Sequence, residues 1–237
     1  MSSVALSDVG QQRDLNEDAV DTLSIGESEL LIVADGMGGH TAGEVASRCA
    51  IERISDYIKT TLDDSRTDYE AILEESIQTA NEAIHARVES DSSLSGMGTT
   101  AVVALCVDNE AIIANVGDSR GYRICDEITQ VTVDHSLVQQ LVDAGEISKE
   151  EAKDHPQRNV VSQSLGNRVD IEPDIFRITV NGTILLCSDG LTEEVSDERI
   201  KEAVNDAPTI EDAADVLIQT ANKNGGHDNI SVALYSS

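Results

Sequence analysis

The chain has 237 residues, of which 40% are hydrophobic, yet it contains one Phe and no Trp, so its core must be built from Val, Ile, Leu and Ala. This length predicts a single domain, spanning 1–237, that can bury a substantial core. The 45 acidic against 16 basic residues give a net charge of −29, and this negative field excludes nucleic acid and anionic membranes as partners.

The acidic excess has several explanations, because the acids are spread from Asp8 to Asp228 rather than gathered in a tail. We favour a high-salt cytoplasm, where a Debye length of about 3 Å at 1 M screens the self-repulsion. Solubility alone and an acidic surface for a basic partner stay open. The N-terminal residues lack a basic region followed by an apolar one, and no apolar run reaches the ~18 residues that span a bilayer. The sequence therefore predicts a soluble, cytoplasmic protein, which we expect to be a monomer.

The first part of the chain is predicted to hold three strands and two long helices. Residues 30–34 form an apolar run closed by an aspartate and glycines, which is typical of a strand buried on both faces. Weaker alternating patterns predict strands at 3–9 and 21–25. Helical spacing of apolar residues over 41–58 and 67–90 predicts two helices that cover one sheet.

The second part is predicted to be richer in strand pairs and shorter helices. The predicted strand pairs lie at 98–115 with a break at 108–110, at 121–125 with 128–133, and at 175–180 with 183–187. The predicted helices lie at 137–145, 148–155, 196–205 and 210–222, before a last strand at 230–235. The irregular stretch around the first two of these helices is a candidate lid or flap.

Aspartates recur at strand ends throughout the chain. Asp35, Asp118 and Asp189 each follow a predicted strand, whereas Asp18 and Asp228 each precede one. Because antiparallel strands place the ends of some beside the starts of others, all five carboxylates can converge on one rim. A single Asp-Gly after a strand is more often a turn, but its recurrence in one chain favours a site.

Converging carboxylates need a cation, because they repel and raise one another's pKa unless one neutralises them. An all-oxygen set selects hard ions, so the expected cofactor is Mn²⁺ or Mg²⁺ rather than zinc. Five acids suit a two-metal centre whose ions lie ~3.5–4 Å apart, share a carboxylate and activate water for attack on phosphorus. Asp35 is the bridging candidate, since the adjacent Gly36 also offers its carbonyl. The chain lacks the EF-hand spacing of a calcium sensor and the G-x-S-x-G of a serine nucleophile.

Eight short motifs follow one another along essentially the whole chain. They are RDLNED, VADGMGGHTAGEVAS, GMGTTAVVA, NVGDSRGYRI, DHSLVQQLVDAGEI, HPQRNVVSQSLG, CSDGLTEEV and GGHDNISVAL. In this order they resemble the metal-dependent PPM family of protein serine/threonine phosphatases, the type 2C group, in its compact prokaryotic form. The resemblance implies an α+β fold, a four-layer α-β-β-α sandwich of two antiparallel sheets flanked by helices, with a metal centre between the sheets at one rim.

The resemblance also assigns the core of that metal centre. It implies that the core ligands are Asp35, Gly36, Asp189 and Asp228. Asp35 would bridge two metals and Gly36 would add its carbonyl, while Asp189 and Asp228 would bind the first metal. The catalytic residues are therefore expected to be the three aspartates.

Further ligands are implied around this core. Asp18 would contribute to the first metal through water, and Glu17 is a lesser candidate for the outer shell. Asp118 is similar to the aspartate that, with Asp189, holds a third, weaker metal in bacterial members. The expected cofactors are thus two metals in the core site and a third weaker one.

Arg13 matches the arginine that clamps the substrate phosphate in this family, a role suited to its fork of donors. The alternative is a surface arginine paired with Asp14 or Glu17. The histidine that follows Asp-Gly in eukaryotic relatives, proposed there as general acid, is Met37 in this sequence. The acid for the leaving group stays open between His40, which could instead cap the next helix, and a metal-bound water.

Residues 135–166 resemble the flap subdomain of bacterial members, which borders the active site and influences substrate access. The alternative is a plain surface insertion. Within this segment His155, Arg158 and Asn159 are the residues of interest.

The sequence therefore predicts a metal-dependent phosphatase that hydrolyses phosphoserine and phosphothreonine on proteins by direct attack of a metal-bridging hydroxide. Its expected partners are phosphorylated proteins, the substrates of a serine/threonine kinase. The alternative is a pseudophosphatase, a binding module for phosphoproteins or a kinase, which the complete set of aspartates disfavours. A phosphatase of anti-sigma-factor antagonists ranks lower, because those usually carry sensor domains that we do not expect here.

Overall fold

The computed structural model describes residues 2–38, 42–62, 68–167 and 170–236. The strands are β1 (Ser2–Asp8), β2 (Ala19–Ile25), β3 (Ser28–Ala34), β4 (Gly36–Met37), β5 (Gly98–Thr99), β6 (Ala101–Val107), β7 (Glu110–Val116), β8 (Arg120–Ile124), β9 (Ile128–Gln130), β10 (Asp174–Thr179), β11 (Thr183–Cys187) and β12 (Ile230–Ser236). The helices are α1 (Ala42–Thr61), α2 (Tyr69–Ser90), α3 (Leu137–Asp143), α4 (Lys149–Lys153), α5 (Asp189–Thr192), α6 (Asp197–Asp206) and α7 (Ile210–Asn224), with a 3₁₀ turn at Ser92–Leu94. None of the helices in these ranges is long and apolar enough to cross a membrane.

Ten of the strands form two five-stranded antiparallel sheets. The order in the first sheet is β1-β12-β11-β8-β9, and the order in the second is β10-β7-β6-β3-β2. The remaining two strands, β4 and β5, make a short separate ladder that pairs Gly36 with Thr99 and Met37 with Gly98. This ladder, which the sequence did not predict, joins the segment after β3 to the segment before β6.

Three separate apolar clusters fill the spaces between four layers. Along β3, Leu30 and Ile32 face α1 and α2, while Leu31 and Val33 face the other sheet. The strand is buried on both faces, as its uninterrupted apolar run predicted. A third cluster packs α6 and α7 on the outer face of the first sheet. The predicted four-layer α-β-β-α sandwich is therefore confirmed, and its core consists mainly of Val, Ile, Leu and Ala.

The predicted pairing of residues 175–180 with 183–187 is wrong. These runs are β10 and β11, which belong to different sheets: β10 pairs with β7, and β11 lies between β12 and β8. Gly182 between them has φ +138°, and a Cβ there would lie 2.2 Å from the carbonyl oxygen of Ile124, so the chain crosses between sheets beside β8. Alternation reveals a strand but not its partner. The strand predicted at 128–133 is also shorter, because β9 ends at Gln130.

Candidate metal centre

The five predicted aspartates gather at one edge of the sandwich, where strands of both sheets begin or end. Asp18 and Asp35 are neighbours, because Ala19, the first residue of β2, pairs with Ala34, the last of β3. The other three aspartates also lie at strand ends. Asp118 comes after β7, Asp189 comes after β11 and is the first residue of α5, and Asp228 comes just before β12.

Burial and mutual repulsion raise the pKa of most of these carboxyls. The surrounding protein raises the pKa of Asp35 and of Asp189 well above the usual range, and the neighbouring carboxylates raise both further. Asp18 and Asp118 are buried, and desolvation raises the pKa of each to about 6. Hydrogen bonds from serines to Asp18, including one of 2.8 Å from the Ser188 hydroxyl, partly oppose that rise. The carboxylates therefore share one electrostatic environment, in which ionising all of them without a cation costs free energy.

The donor set fits a hard divalent cation. Every side chain in the cluster offers oxygen, and among the described residues Oε1 of Glu17, at its border, is buried without a hydrogen-bond partner. A Cβ on Gly36 would lie 2.3 Å from the carbonyl oxygen of Gly43, so only glycine brings this backbone so close to α1. Within the described ranges, no three His, Cys, Asp or Glu side chains enclose a metal position as they stand.

Thr100 connects the loops that carry two of the aspartates, a role that sequence reasoning missed. Its backbone N–H donates to the carbonyl of Asp35 at 2.9 Å, and its hydroxyl accepts from the Asp35 N–H at 3.0 Å. The same hydroxyl shares a 2.7 Å hydrogen bond with the hydroxyl of Ser119, which follows Asp118. The available signal was the paired threonine in GMGTTAVVA, directly before a buried strand.

Thr100→Val is expected to lower the free energy of unfolding by about 2–4 kcal/mol, because it leaves the Asp35 N–H and the Ser119 hydroxyl buried without their partner. Thermal and urea unfolding of the metal-free protein measure this change. Thr100→Ser, which keeps the hydroxyl, is the matched control and should recover most of the loss. Wild-type stability in Thr100→Val, with a loss only in Thr100→Ser, would show that the methyl group matters and the hydrogen bonds do not.

Asn229 holds the loop before β12 against the segment that carries Arg13, and it too was missed. Its side-chain oxygen accepts from the Glu17 N–H at 2.8 Å, and its amide donates to the carbonyls of Val9 and Leu15, each at 3.0 Å. Its backbone N–H donates to Asp228 at 2.8 Å. The motif GGHDNISVAL contained the residue, but sequence alone gives no partner for a buried amide.

Arg13 lies at the same rim. Its Nη2 is 2.6 Å from Oδ2 of Asp228, and its side chain is 47% exposed. The ion pair that the structure shows is therefore with a predicted metal ligand and not with the sequence neighbours considered as alternatives. A guanidinium has five N–H donors, so this half-exposed side chain has more donors than the ion pair with Asp228 uses.

An ion pair joins the segment 135–166 to this rim. Nε of Arg158 lies 3.7 Å from Oε1 of Glu193, and Glu193 is one of the carboxylates that raise the pKa of Asp118 and Asp189. Glu193 lay within CSDGLTEEV but was not singled out from the sequence. Of the other residues of interest in the segment, His155 is half-buried and accepts from a nearby backbone N–H, and Asn159 is exposed.

The side chain that replaces the histidine of eukaryotic relatives is not an acid. Met37 is half-buried in β4 and has no proton to donate. His40 lies outside the described residues.

Comparison with known proteins places this geometry in a family. A model described as protein phosphatase 2C matches residues 10–234. The serine/threonine phosphatase stp of Listeria innocua is 43% identical over 233 residues, which cover 96% of this chain and 92% of that protein. The structure of serine/threonine phosphatase Stp1 from Staphylococcus aureus superposes with a TM-score of 0.94 at 38% identity, covering 99% of this chain and 94% of the other. The catalytic domain of phosphatase PstP, solved in complex with two manganese ions, gives 0.87 at 38% identity, covering 98% and 96%.

These matches confirm what the eight motifs predicted, both the resemblance and the enzyme class of protein serine/threonine phosphatase. They extend over nearly the full length of this chain and of its relatives. The chain belongs to the protein phosphatase 2C family.

Proposed function

We propose that this chain removes phosphate from phosphoserine and phosphothreonine in proteins by direct attack of a metal-activated hydroxide, without a phosphoenzyme. The observation that carries the proposal is the gathering of Asp18, Asp35, Asp118 and Asp189 into one environment that raises the pKa of each. Bound Mn²⁺ or Mg²⁺ would lower the pKa of a shared water and neutralise phosphoryl oxygens. The expected substrates are phosphoproteins made by a serine/threonine kinase.

The positions of the core residues support the roles proposed for them. Asp35 would bridge two cations, with the Gly36 carbonyl as a further ligand. Both residues directly follow the end of β3, and Gly36 lies against Gly43 near the start of α1. Asp189 and Asp228 would complete the first site from the other sheet. Asp35 and Gly36 thus follow a strand of the second sheet, whereas Asp189 and Asp228 adjoin strands of the first. The packing of the two sheets against each other would therefore determine the distance between these two pairs of ligands.

Two weaker positions complete the proposed set. Asp18, which is buried and accepts a hydrogen bond from Ser188, would contribute through water. Asp118 would join Asp189 in holding a third cation, since its charge reaches Asp189 strongly enough to raise the pKa of that carboxyl.

The test of the proposal is hydrolysis of p-nitrophenyl phosphate and a phosphothreonine peptide by the purified chain with Mn²⁺, Mg²⁺ or EDTA, at low and at molar KCl. Turnover that requires the metal and stops with EDTA is expected. If the folded protein hydrolyses neither substrate under any condition, the proposal is overturned and a pseudophosphatase is favoured. Calorimetry would then detect its binding to the phosphopeptide.

Arg13→Ala is expected to raise KM for the phosphopeptide by about 10–100-fold with a smaller change in kcat, because losing a charged hydrogen bond costs roughly 1.5–3 kcal/mol. Arg13→Lys should recover only part of the affinity, since an ammonium cannot bind phosphate in the bidentate manner. Steady-state kinetics at saturating Mn²⁺ make the measurement.

The matched control for Arg13 is Arg48→Ala, which removes an exposed arginine paired with Glu44 on α1. It should leave KM unchanged. A loss of metal affinity in Arg13→Ala without a change in KM would assign Arg13 to holding Asp228 in place and would contradict the phosphate role.

A further inference from the structure

The two ends of the segment 135–166 meet at His135. The backbone N–H of His135 donates to the carbonyl of Gly117 at 2.8 Å, and its own carbonyl accepts from the Ser162 N–H at 2.8 Å. Two residues further along the chain, the Leu137 N–H donates to the Val160 carbonyl at 2.8 Å. His135 therefore stands where this segment leaves the sandwich, where it returns, and where it contacts the turn after β7.

The imidazole of His135 adds a second connection to the same turn. Its Nδ1 lies 3.2 Å from the backbone nitrogen of Gly117, whose N–H points at it, and its Nε2 lies 3.2 Å from Oδ2 of Asp174. A backbone N–H can only donate, so Nδ1 must be the unprotonated nitrogen. Nε2 then carries the proton and donates to Asp174. Only 14% of the side chain is exposed, so the surroundings fix both the tautomer and the ring orientation.

The turn held by this ring is the one that aims Asp118. Gly117 has φ +112°, and a Cβ there would lie 2.6 Å from Cγ2 of Thr100, so the turn is trapped against Thr100 on one side. His135 closes the other side through the Gly117 N–H and carbonyl. The backbone that carries the Asp118 side chain is thus held between Thr100 and His135.

Asp134, the residue before His135, holds Arg120, which lies two residues after Asp118. Asp134 accepts three hydrogen bonds from the Arg120 guanidinium at 2.6–3.0 Å. His135 therefore contacts the turn before Asp118, at Gly117, and Asp134 contacts it after Asp118, at Arg120. Any movement at the base of the 135–166 segment must displace Asp118 or break these contacts.

We propose that His135 is a positioning residue for the Asp118 carboxylate: with its proton on Nε2, it accepts the Gly117 N–H and fixes the turn, and the same contacts tie the base of the 135–166 segment to that turn. The inference rests on the proposed function, in which Asp118 helps to hold a divalent cation. His135 touches neither substrate nor metal in this scheme and acts only through the backbone of Gly117.

The tautomer is tested first, in the wild-type protein with ¹⁵N-labelled histidine. Long-range ¹H–¹⁵N correlation spectra at neutral pH should show for His135 an unprotonated nitrogen at Nδ1 and a protonated one at Nε2, with the resonances assigned by loss in His135→Gln. A proton on Nδ1, or rapid averaging between the two nitrogens, would overturn the proposal.

Two variants separate the two contacts of the ring. In His135→Asn the side-chain oxygen replaces Nδ1 and can still accept from Gly117, but the side chain is too short to reach Asp174. In His135→Gln the amide can reach Asp174 but places no acceptor at the Nδ1 position. His135→Gln is expected to weaken the lowest-affinity Mn²⁺ site by about 10–100-fold, the usual cost of losing a partner behind a metal ligand, and His135→Asn should recover most of the affinity.

Calorimetric Mn²⁺ titration measures this affinity directly, and the Mn²⁺ dependence of p-nitrophenyl phosphate hydrolysis measures it independently. Asp118→Ala gives the full effect of losing the ligand. Ser148→Ala, which removes the cap of α4 within the same segment, is the control and should leave Mn²⁺ affinity unchanged. Equal losses in the Asn and Gln variants, or wild-type affinity in the Gln variant, would overturn the proposal.

The two levels of inference fail in distinguishable ways. If the wild-type protein hydrolyses no phosphate ester with any metal, the proposed function is wrong, while the NMR tautomer and the calorimetric Mn²⁺ affinities still test His135. If the wild-type enzyme is active and Mn²⁺ binding does not distinguish His135→Gln from wild type, only the positioning role is wrong.

Discussion

Asp35→Asn is expected to abolish turnover, by on the order of 10³-fold or more, while raising the thermal stability of the metal-free protein. The two effects have one cause. The surrounding protein and four neighbouring carboxylates raise the pKa of Asp35 well above the usual range, so its charge opposes folding when no cation is present. An amide removes that charge, and with it the ligand that would join two cations.

The measurements are kcat with p-nitrophenyl phosphate at saturating Mn²⁺ and the unfolding temperature in EDTA. Asp215→Asn makes the same chemical change at an exposed position on α7 and should alter neither quantity. Wild-type turnover in Asp35→Asn would refute the bridging role. A large fall in metal-free stability would show that Asp35 is a structural hydrogen-bonding residue and not a strained ligand.

The positions of the aspartates could be predicted because two simple rules determined them. Apolar runs such as Leu30–Ala34 reveal strands, and antiparallel pairing brings the end of β3 beside the start of β2, so Asp35 and Asp18 had to be close. To place each carboxylate at this edge, it was enough to recognise the end of the one strand beside it. The ordered motifs then supplied the layer architecture that joins the two sheets.

The supporting contacts could not be predicted, because each joins segments far apart in sequence. Arg13 had acidic neighbours at hand, yet its partner is Asp228, 215 positions away. The hydroxyl of Thr100 and the ring of His135 could have served any nearby loop, and only the packed sandwich shows that both hold the turn around Asp118. The failed pairing of β10 with β11 has the same origin, since alternation carries no information on which sheet a strand joins.

The metal-free protein is expected to lose stability as pH rises from about 4 to 6.5, and saturating Mn²⁺ should remove most of that loss. Asp18 and Asp118 have pKa values of about 6 in the fold against the usual 3.8. The folded state therefore binds protons that the unfolded state has released, so these groups favour folding at low pH, and the contribution disappears as pH rises through about 6. The change from 3.8 to about 6 corresponds to on the order of 3 kcal/mol for each group.

A bound cation offsets this loss of stability, because it favours the ionised carboxylates of the folded state and adds about 2.7 kcal/mol at a concentration of 100 Kd. Differential scanning calorimetry at constant KCl, with EDTA or with Mn²⁺, measures both curves. Asp118→Asn removes one of the two titrating groups, so its metal-free curve should be flatter than that of the wild type, while Asp215→Asn should leave the slope unchanged. A metal-free stability that is flat or rises between about pH 4 and 6.5 would mean that these carboxylates are already neutralised by the protein, and the need for a cation at this rim would disappear with it.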